Sequence, residues 1–422
     1  MIDESNVKLT KTRHLGLWFA LFGGFIAVAA TFIVLYALGI LSDGSGYIAL
    51  AAKVYSDEIT YNEGISCSLY FQGNSFSVGG QTTNATGIYS DALKKAYMQT
   101  EAKTVYPQYA SLAYLNSHLG EDVKVDDYVY NVLKDAYAKT KEDNNYSIFA
   151  GPLYEEYDHL CSIRSSGSWV NDPDPLYDEA QASYMAELAS YINDEANFTL
   201  TFKEDNVIFL DISPAYKAFR EANEITSPVA SLNLLRQAYM IKDTAKALEE
   251  AGYTNGFLSY PQYGIGLTLK ETPSLSHGIY GLRKGKVAEP LAVSIKGQTA
   301  FAKAVRLNIG QTNFPSRYTV SKDGTSYYRS PCLSLKTGLP CDYLLSSYLF
   351  EEKGDVVELA LLSASGYGIE DEASLESFLT SIKGKSYVYN RKDKDDTFFI
   401  SSSLQESIVA YAQDGYSIVY QA

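Results

Sequence analysis

The apolar and polar positions divide the chain unevenly. From Leu15 to Leu41, LGLWFALFGGFIAVAATFIVLYALGIL, there is no charged residue and almost no polar one. At about 1.5 Å per residue, a helix of that length exceeds a hydrocarbon core of about 30 Å and can cross it with some tilt. After it come short amphipathic and alternating runs. Ser90 caps DALKKAYMQTEAK. Asp126 and Asp127 open YVYNVLKDAYAKTKE, with Val129, Val132, Leu133 and Ala136 on one helical face. Asp178 and Glu179 open AQASYMAELASYIN. Leu235 to Ala251 reads as a helix stopped by Gly252. GDVVELALL reads as a helix start with Asp355 at the N-cap. Strand-like runs fall at 197–202, 207–210, 256–260, 290–295, 318–320, 343–350, 385–390 and 397–403. Helices and strands alternate irregularly, which predicts an α+β fold and not a doubly wound sheet.

The flanks orient the long apolar run. Lys8, Lys11, Arg13 and His14 precede it, and Ser42, Asp43 and Gly44 follow it. The positive-inside bias then places the N-terminus in the cytosol and the bulk of the chain outside. The run is too long for a signal-peptide core, so it reads as an uncleaved anchor at the cell membrane. The expected organisation is a cytosolic tail (1–14), a transmembrane helix (15–41), a linker (42–59) and one extracytoplasmic domain (60–422).

Charge narrows the partners. The chain has 35 Lys and Arg against 50 Asp and Glu, a net charge of -15. So acidic a surface argues against nucleic-acid binding, which needs phosphate-neutralising cations. Four cysteines follow the anchor: Cys67, Cys161, Cys332 and Cys341. An oxidising exterior permits disulfides. Cys332 and Cys341 would close a short loop and are the favoured pair, with buried thiols as the alternative. The four histidines are scattered and suggest no metal cluster. There is no Walker loop and no G-x-S-x-G elbow, and NDPDPLYDE at 171–179 lacks the glycine and glutamate of an EF-hand.

The order of the remaining segments is more informative. YPQYASLAYLN (106–116) is followed by IFAGPLY (148–154), then by LNLLRQAYMIKDTAKALEEAGYTNGFLSY (232–260). NIGQTNFPSRYTVSKDGTSYY (308–328), YYRSPCLSLKTGLPCDY (327–343) and GDVVELALLSASG (354–366) complete the series. This succession resembles the ApbE family, the extracytoplasmic FAD:protein FMN transferases, over about residues 60–404. The resemblance implies a T-fold-related single globular domain. It also implies a flavin site, for FAD or FMN, at Tyr106, Asn116, Tyr239, Asp243, Thr312 and Thr337, and a Mg²⁺ ligand at Asp355.

The match is partial. Gly151, Pro152 and Leu153 fit the family's G-P-L, and Lys336, Thr337 and Gly338 fit the end of its H-I-I-D-P-x-T-G loop. The loop's histidine falls on Pro331 and its aspartate on Ser334. Paired glycines become Asn233 and Leu234, G-G-D becomes YPQYG (260–264), and the threonine of A-D-A-x-x-T becomes Leu359. Breaking a pyrophosphate needs a cation and a proton acceptor. Their loss points to an accessory that binds a flavin or a flavoprotein partner in a cell-surface electron-transfer system. An active Mg-dependent transferase, with Asp355 and Asp243 on the metal, and a purely structural surface protein are the alternatives. Local structural roles compete at each position: a helix cap for Asp355, turn caps for Asn116 and Thr337, core aromatics for Tyr106 and Tyr239.

Overall fold

The structure is a computed structural model. It describes residues 15–37, 42–141, 145–165, 175, 178–233, 235–261, 264–283, 286–303, 319–322, 325–328, 333–341, 343–411 and 415–421. The chain forms two compact units, one of residues 1–48 and 70–84, the other of residues 49–69 and 85–422.

Helices in chain order are α1 (Leu15–Ala37), α2 (Ser75–Thr100), α3 (Leu112–Asn116), α4 (Asp127–Thr140), α5 (Gly151–Ser165), α6 (Glu179–Asn193), α7 (Pro214–Ala222), α8 (Leu235–Glu250), α9 (Val356–Ser365) and α10 (Glu372–Ser381). The strands begin with β1 (Gly46–Leu50), β2 (Ser66–Phe71), β3 (Asp122–Lys124), β4 (Phe198–Phe202), β5 (Val207–Ile212), β6 (Gly256–Tyr260), β7 (Ile265–Thr268), β8 (Leu275–Arg283) and β9 (Lys286–Ile295). They continue with β10 (Thr299–Lys303), β11 (Thr319–Lys322), β12 (Thr325–Tyr328), β13 (Leu344–Glu352), β14 (Ser386–Arg391), β15 (Lys394–Ser401), β16 (Ile408–Tyr411) and β17 (Ser417–Gln421).

In the first unit, α1 exposes Phe22, Phe25, Phe32 and Ile33. Among the described residues no helix is long and apolar enough to cross a membrane. Side chains before Phe22 and all of residues 38–41 lie outside the described residues, so the span predicted from Leu15 to Leu41 is described only in part. Gly44 donates to the Gly73 carbonyl at 3.0 Å and Ser75 to that of Ser42 at 2.9 Å. The stretch read as a linker, 42–59, contains strand β1.

The second unit is α+β, as the pattern predicted. Its main sheet belongs to a nine-stranded order, β1-β2-β6-β7-β10-β13-β14-β15-β17, in which spatial order follows sequence order. The pairs from β2 to β15 are antiparallel and β15–β17 is parallel. Such a sheet is a meander whose helices and side sheets are excursions between neighbours. One face carries the hairpin β8–β9. There Ile279, Leu291, Val293 and Ile295 pack with Phe301, Tyr348, Phe350, Val388 and Phe398 into a buried cluster. Gly281 is required in that layer, since a Cβ there would meet the ring of Phe398. β13 is buried from Leu344 to Phe350, as a strand covered on both faces must be. By alternation Tyr348 and Phe350 serve the hairpin side, and Ser347 and Leu349 face the other way.

The predicted starts of α4, α6, α8 and α9 agree with the structure. Asp178 accepts from the N–H groups of Ala180 and Gln181. Gly252 takes φ +90°, the left-handed stop that glycine adopts without a Cβ penalty. The helix expected from Ser90 begins instead at Ser75. Gly79, Gly80 and Gly87 lower its intrinsic propensity, yet Asn74 accepts from the Ser77 N–H at 2.9 Å and starts it.

Candidate functional site

The carboxylates singled out by sequence converge on the junction of α4, α8 and α9. Asp355 is the N-cap of α9: its Oδ1 accepts from the Val357 N–H at 2.8 Å, while Oδ2 receives the ammonium of Lys242 from α8. Burial works against its charge, but Lys242 and the Val357 N–H outweigh burial and hold the carboxyl below the usual range. Leu359, one turn on, stands where the family places a threonine and is fully buried. It is part of the core under α9.

The neighbouring acids are equally engaged. Asp243 of α8 accepts from the Tyr128 hydroxyl of α4. Burial raises its pKa, against the pull of Tyr128 and the nearby lysines. Tyr239, one turn before Asp243, is buried and donates to Asp135. Asp135 and Glu358 share the ammonium of Lys139, which is 5% exposed. Sequence reasoning missed Lys139 and Lys242. Lys139 had a signal: it extends the apolar face of Val132 and Ala136 on α4, where a lysine needs a partner.

Tyr106 and Asn116 lie elsewhere. Asn116 donates to the carbonyls of Ala102 (3.2 Å) and Ala230 (2.8 Å) and accepts from the Ala230 N–H (2.9 Å). That use of both ends of an amide staples two loops. Tyr106 is half-buried, with its ring 6.2 Å from that of Tyr61 and 6.3 Å from that of Tyr97. Burial pushes its hydroxyl up to about 12.

Thr337 belongs to the Leu333–Pro340 loop, whose ends form a bridge. Asn145 clamps it by donating to the Leu333 carbonyl at 2.9 Å and accepting from the Leu335 N–H at 2.6 Å, and Asn193 donates to the Leu335 carbonyl at 2.6 Å. Gly338 has φ +68°, and a Cβ there would run into the Met185 carbonyl of α6. Thr337 accepts from the Leu339 N–H at 3.3 Å, a turn-capping role. Lys336 is the exposed tip. This loop borders a cleft of about 930 Å³ lined by Ser334 to Lys336, the end of α4, the end of α6 and α10. Phe149 and Phe198, stacked at 3.9 Å, supply an aromatic wall, and Lys141, paired with Glu195 at 2.6 Å, lies at its edge. Asp243, Tyr239 and Asp355 are not among its walls.

One departure from the family pattern has a visible consequence. Asn233, at a glycine position, takes φ +49° and donates to the Ser147 carbonyl at 2.7 Å. Asparagine is one of the few side chains that tolerate this conformation, so the turn survives the loss of glycine. Gly151 to Leu153 form the first turn of α5. Thr312, Pro331 and Cys332 lie outside the described residues, so neither Thr312 nor the Cys332–Cys341 pairing can be placed; Cys341 is buried.

The donor set does not suit Mg²⁺. Among the described residues no group of three or more His, Cys, Asp or Glu could hold a metal ion. Asp355 is divided between a helix cap and an ammonium, and its expected threonine partner is a buried leucine. Mg²⁺ demands near-octahedral oxygen donors.

No family model and no curated protein matches the sequence. Solved structures do. The ApbE protein of Thermotoga maritima superposes with a TM-score of 0.56 at 14% identity, covering 86% of this chain and 99% of that one. Flavin transferase ApbE of Vibrio cholerae gives 0.53 at 13%, with the same coverage. Flavinyl transferase ApbE of Pseudomonas stutzeri gives 0.51 at 10%, over 87% of this chain and 98% of that one. The chain is built on the fold of the ApbE flavin transferases, as a divergent example of it.

Proposed function

We propose that this protein is a membrane-anchored, outward-facing ApbE-like accessory that holds a flavin, or docks on a flavoprotein of a surface electron-transfer system, without transferase chemistry. The observation that carries the reading is that the cleft is not lined by Asp243 or Asp355, the acids the resemblance assigns to a metal. On an ApbE fold, a cleft of about 930 Å³ persists beside the Leu333–Pro340 loop, within the roughly 300–1,000 Å³ of small-molecule sites. The acids that would assemble a metal centre are tied into internal pairs. The cleft offers ring faces (Tyr137, Phe149, Phe198) and hydroxyls (Ser147, Ser190, Ser334), suited to stacking and orienting a planar heterocycle. The anchor is the Leu15–Leu41 run, with Lys8, Lys11 and Arg13 on its cytosolic side.

Titration of the full-length chain in detergent with FAD and with FMN, followed by calorimetry and flavin fluorescence, tests the reading. Saturable binding that a chelator leaves unchanged is expected. Flat traces for both flavins would discard the flavin part. A mass gain of FMN on an acceptor protein supplied with FAD and Mg²⁺ would restore the transferase.

A further inference from the structure

The α4–α8–α9 junction holds two lysines that the flavin reading does not use. Lys139 is 5% exposed and lies between Asp135 of its own helix, at 3.2 Å, and Glu358 of α9. Asp135 is further fixed by the Tyr239 hydroxyl from α8. Lys242 of α8 meets Asp355, three residues before Glu358 and on the same first turn of α9. Two carboxylates presented by one helical turn therefore each receive an ammonium, from two different helices. A buried ammonium persists only where paired charge offsets its desolvation. At Lys139, burial pulls the pKa down, yet the two carboxylates reverse this and raise it.

We infer that Lys139 and Lys242 are resident counter-cations: the positive charge that joins the first turn of α9 to α4 and α8 comes from two side chains, which take the part a divalent ion would play between such acids. Asp135 and Glu358 already converge on one point, the Lys139 Nζ, and both are about half exposed. A hydrated divalent ion can bridge one or two carboxylates in that way, so removing the lysine should create a cation requirement that the native chain lacks. The inference is independent of what the cleft binds.

Thermal melting of the full-length protein in low salt decides it, first with a chelator and then with Mn²⁺ added stepwise, while bound Mn²⁺ is followed by loss of the free ion's paramagnetic resonance signal. Wild type is expected to melt at one temperature throughout and to leave the signal unchanged. Lys139→Met is expected to melt several degrees lower in chelator, to take up Mn²⁺, and to regain at least half of the loss. Lys242→Met, at a half-exposed site with a single carboxylate, is expected to melt slightly lower in chelator and to regain nothing with Mn²⁺, and Lys242→Arg to behave as wild type. Chelator-sensitive melting or Mn²⁺ uptake by wild type overturns the inference. So does a Lys139→Met variant that is as stable as wild type, or that Mn²⁺ neither binds nor restores. If Lys139→Met does not fold in chelator, refolding it with Mn²⁺ decides: recovery of the fold supports the inference, and no recovery overturns it.

Discussion

The junction of α4, α8 and α9 and the cleft beside the Leu333–Pro340 loop share α4 but differ in kind. At the junction, Asp135, Asp243, Asp355 and Glu358 each have a named partner within the protein. In the cleft, volume is available, and its walls are rings and hydroxyls with Lys141, Glu195, Glu370, Asp371 and the exposed Lys336 among them. Residues that the ApbE resemblance gathers into one centre are thus split between a packed charge network and an open pocket. A phosphate-cleaving centre needs cation, acid–base group and substrate in one place. The proposed role without transferase chemistry rests on this separation more than on any single substitution.

The largest effect is expected in the cleft loop. Gly338→Ala demands φ +68° from a residue with a Cβ and drives that atom into the Met185 carbonyl. Left-handed strain of about 1–2 kcal/mol plus overpacking of about 1–3 kcal/mol should appear as a lower midpoint in urea unfolding. An unchanged midpoint would mean that the loop is not clamped as described.

At the junction, Asp355→Ala should cost about 1 kcal/mol, as losing an N-cap does, and Asp355→Asn less, because asparagine still caps. If the two variants cost the same, the Lys242 pair and not the cap carries the stability.

The pH dependence of Asp355 and Asp243 should differ in sign. Asp355 titrates below its unfolded value. Its stabilisation is present above an unfolded pKa of about 3.9 and is lost as pH falls through the lower folded pKa. Asp243 titrates above its unfolded value, so it subtracts stability as pH rises from about 3.9 through its folded pKa. Asp243→Asn should therefore be neutral or slightly stabilising at neutral pH and lose that advantage in acid, while Asp355→Asn loses its small cost there. Urea midpoints of both variants across acidic pH would show the crossing, and parallel curves would refute it. Smallest of all, Lys336→Ala should leave the midpoint within about 0.5 kcal/mol, as surface changes do, while weakening any phosphate-bearing ligand of the cleft.

Much of the scaffold was legible in the sequence. Asp178 and Asp355 stand at helix starts because a short acidic side chain satisfies free N–H groups one turn ahead, a requirement set within four residues. The run from Gly256 to Tyr260 forms a strand as its residues suggest. Less legible were β1, β10 and β17, short strands that the neighbours in the sheet sustain more than their own alternation. The first half of α2 was missed because its glycines speak against a helix.

The candidate site divides in the same way. Sequence alone determined which residue types stand at the ApbE positions: leucine at 359, serine at 334, lysine, threonine and glycine at 336–338. It also determined the apolar run and the acidic balance, since both are sums over residues. Only the tertiary structure decided what each acid is for. Lys139 meets Glu358, and Lys242 meets Asp355, across more than a hundred positions of chain. Whether a carboxylate serves a metal, a cap or an ammonium depends on which groups the native fold holds within hydrogen-bonding distance, and chain folding, not local sequence, sets that distance.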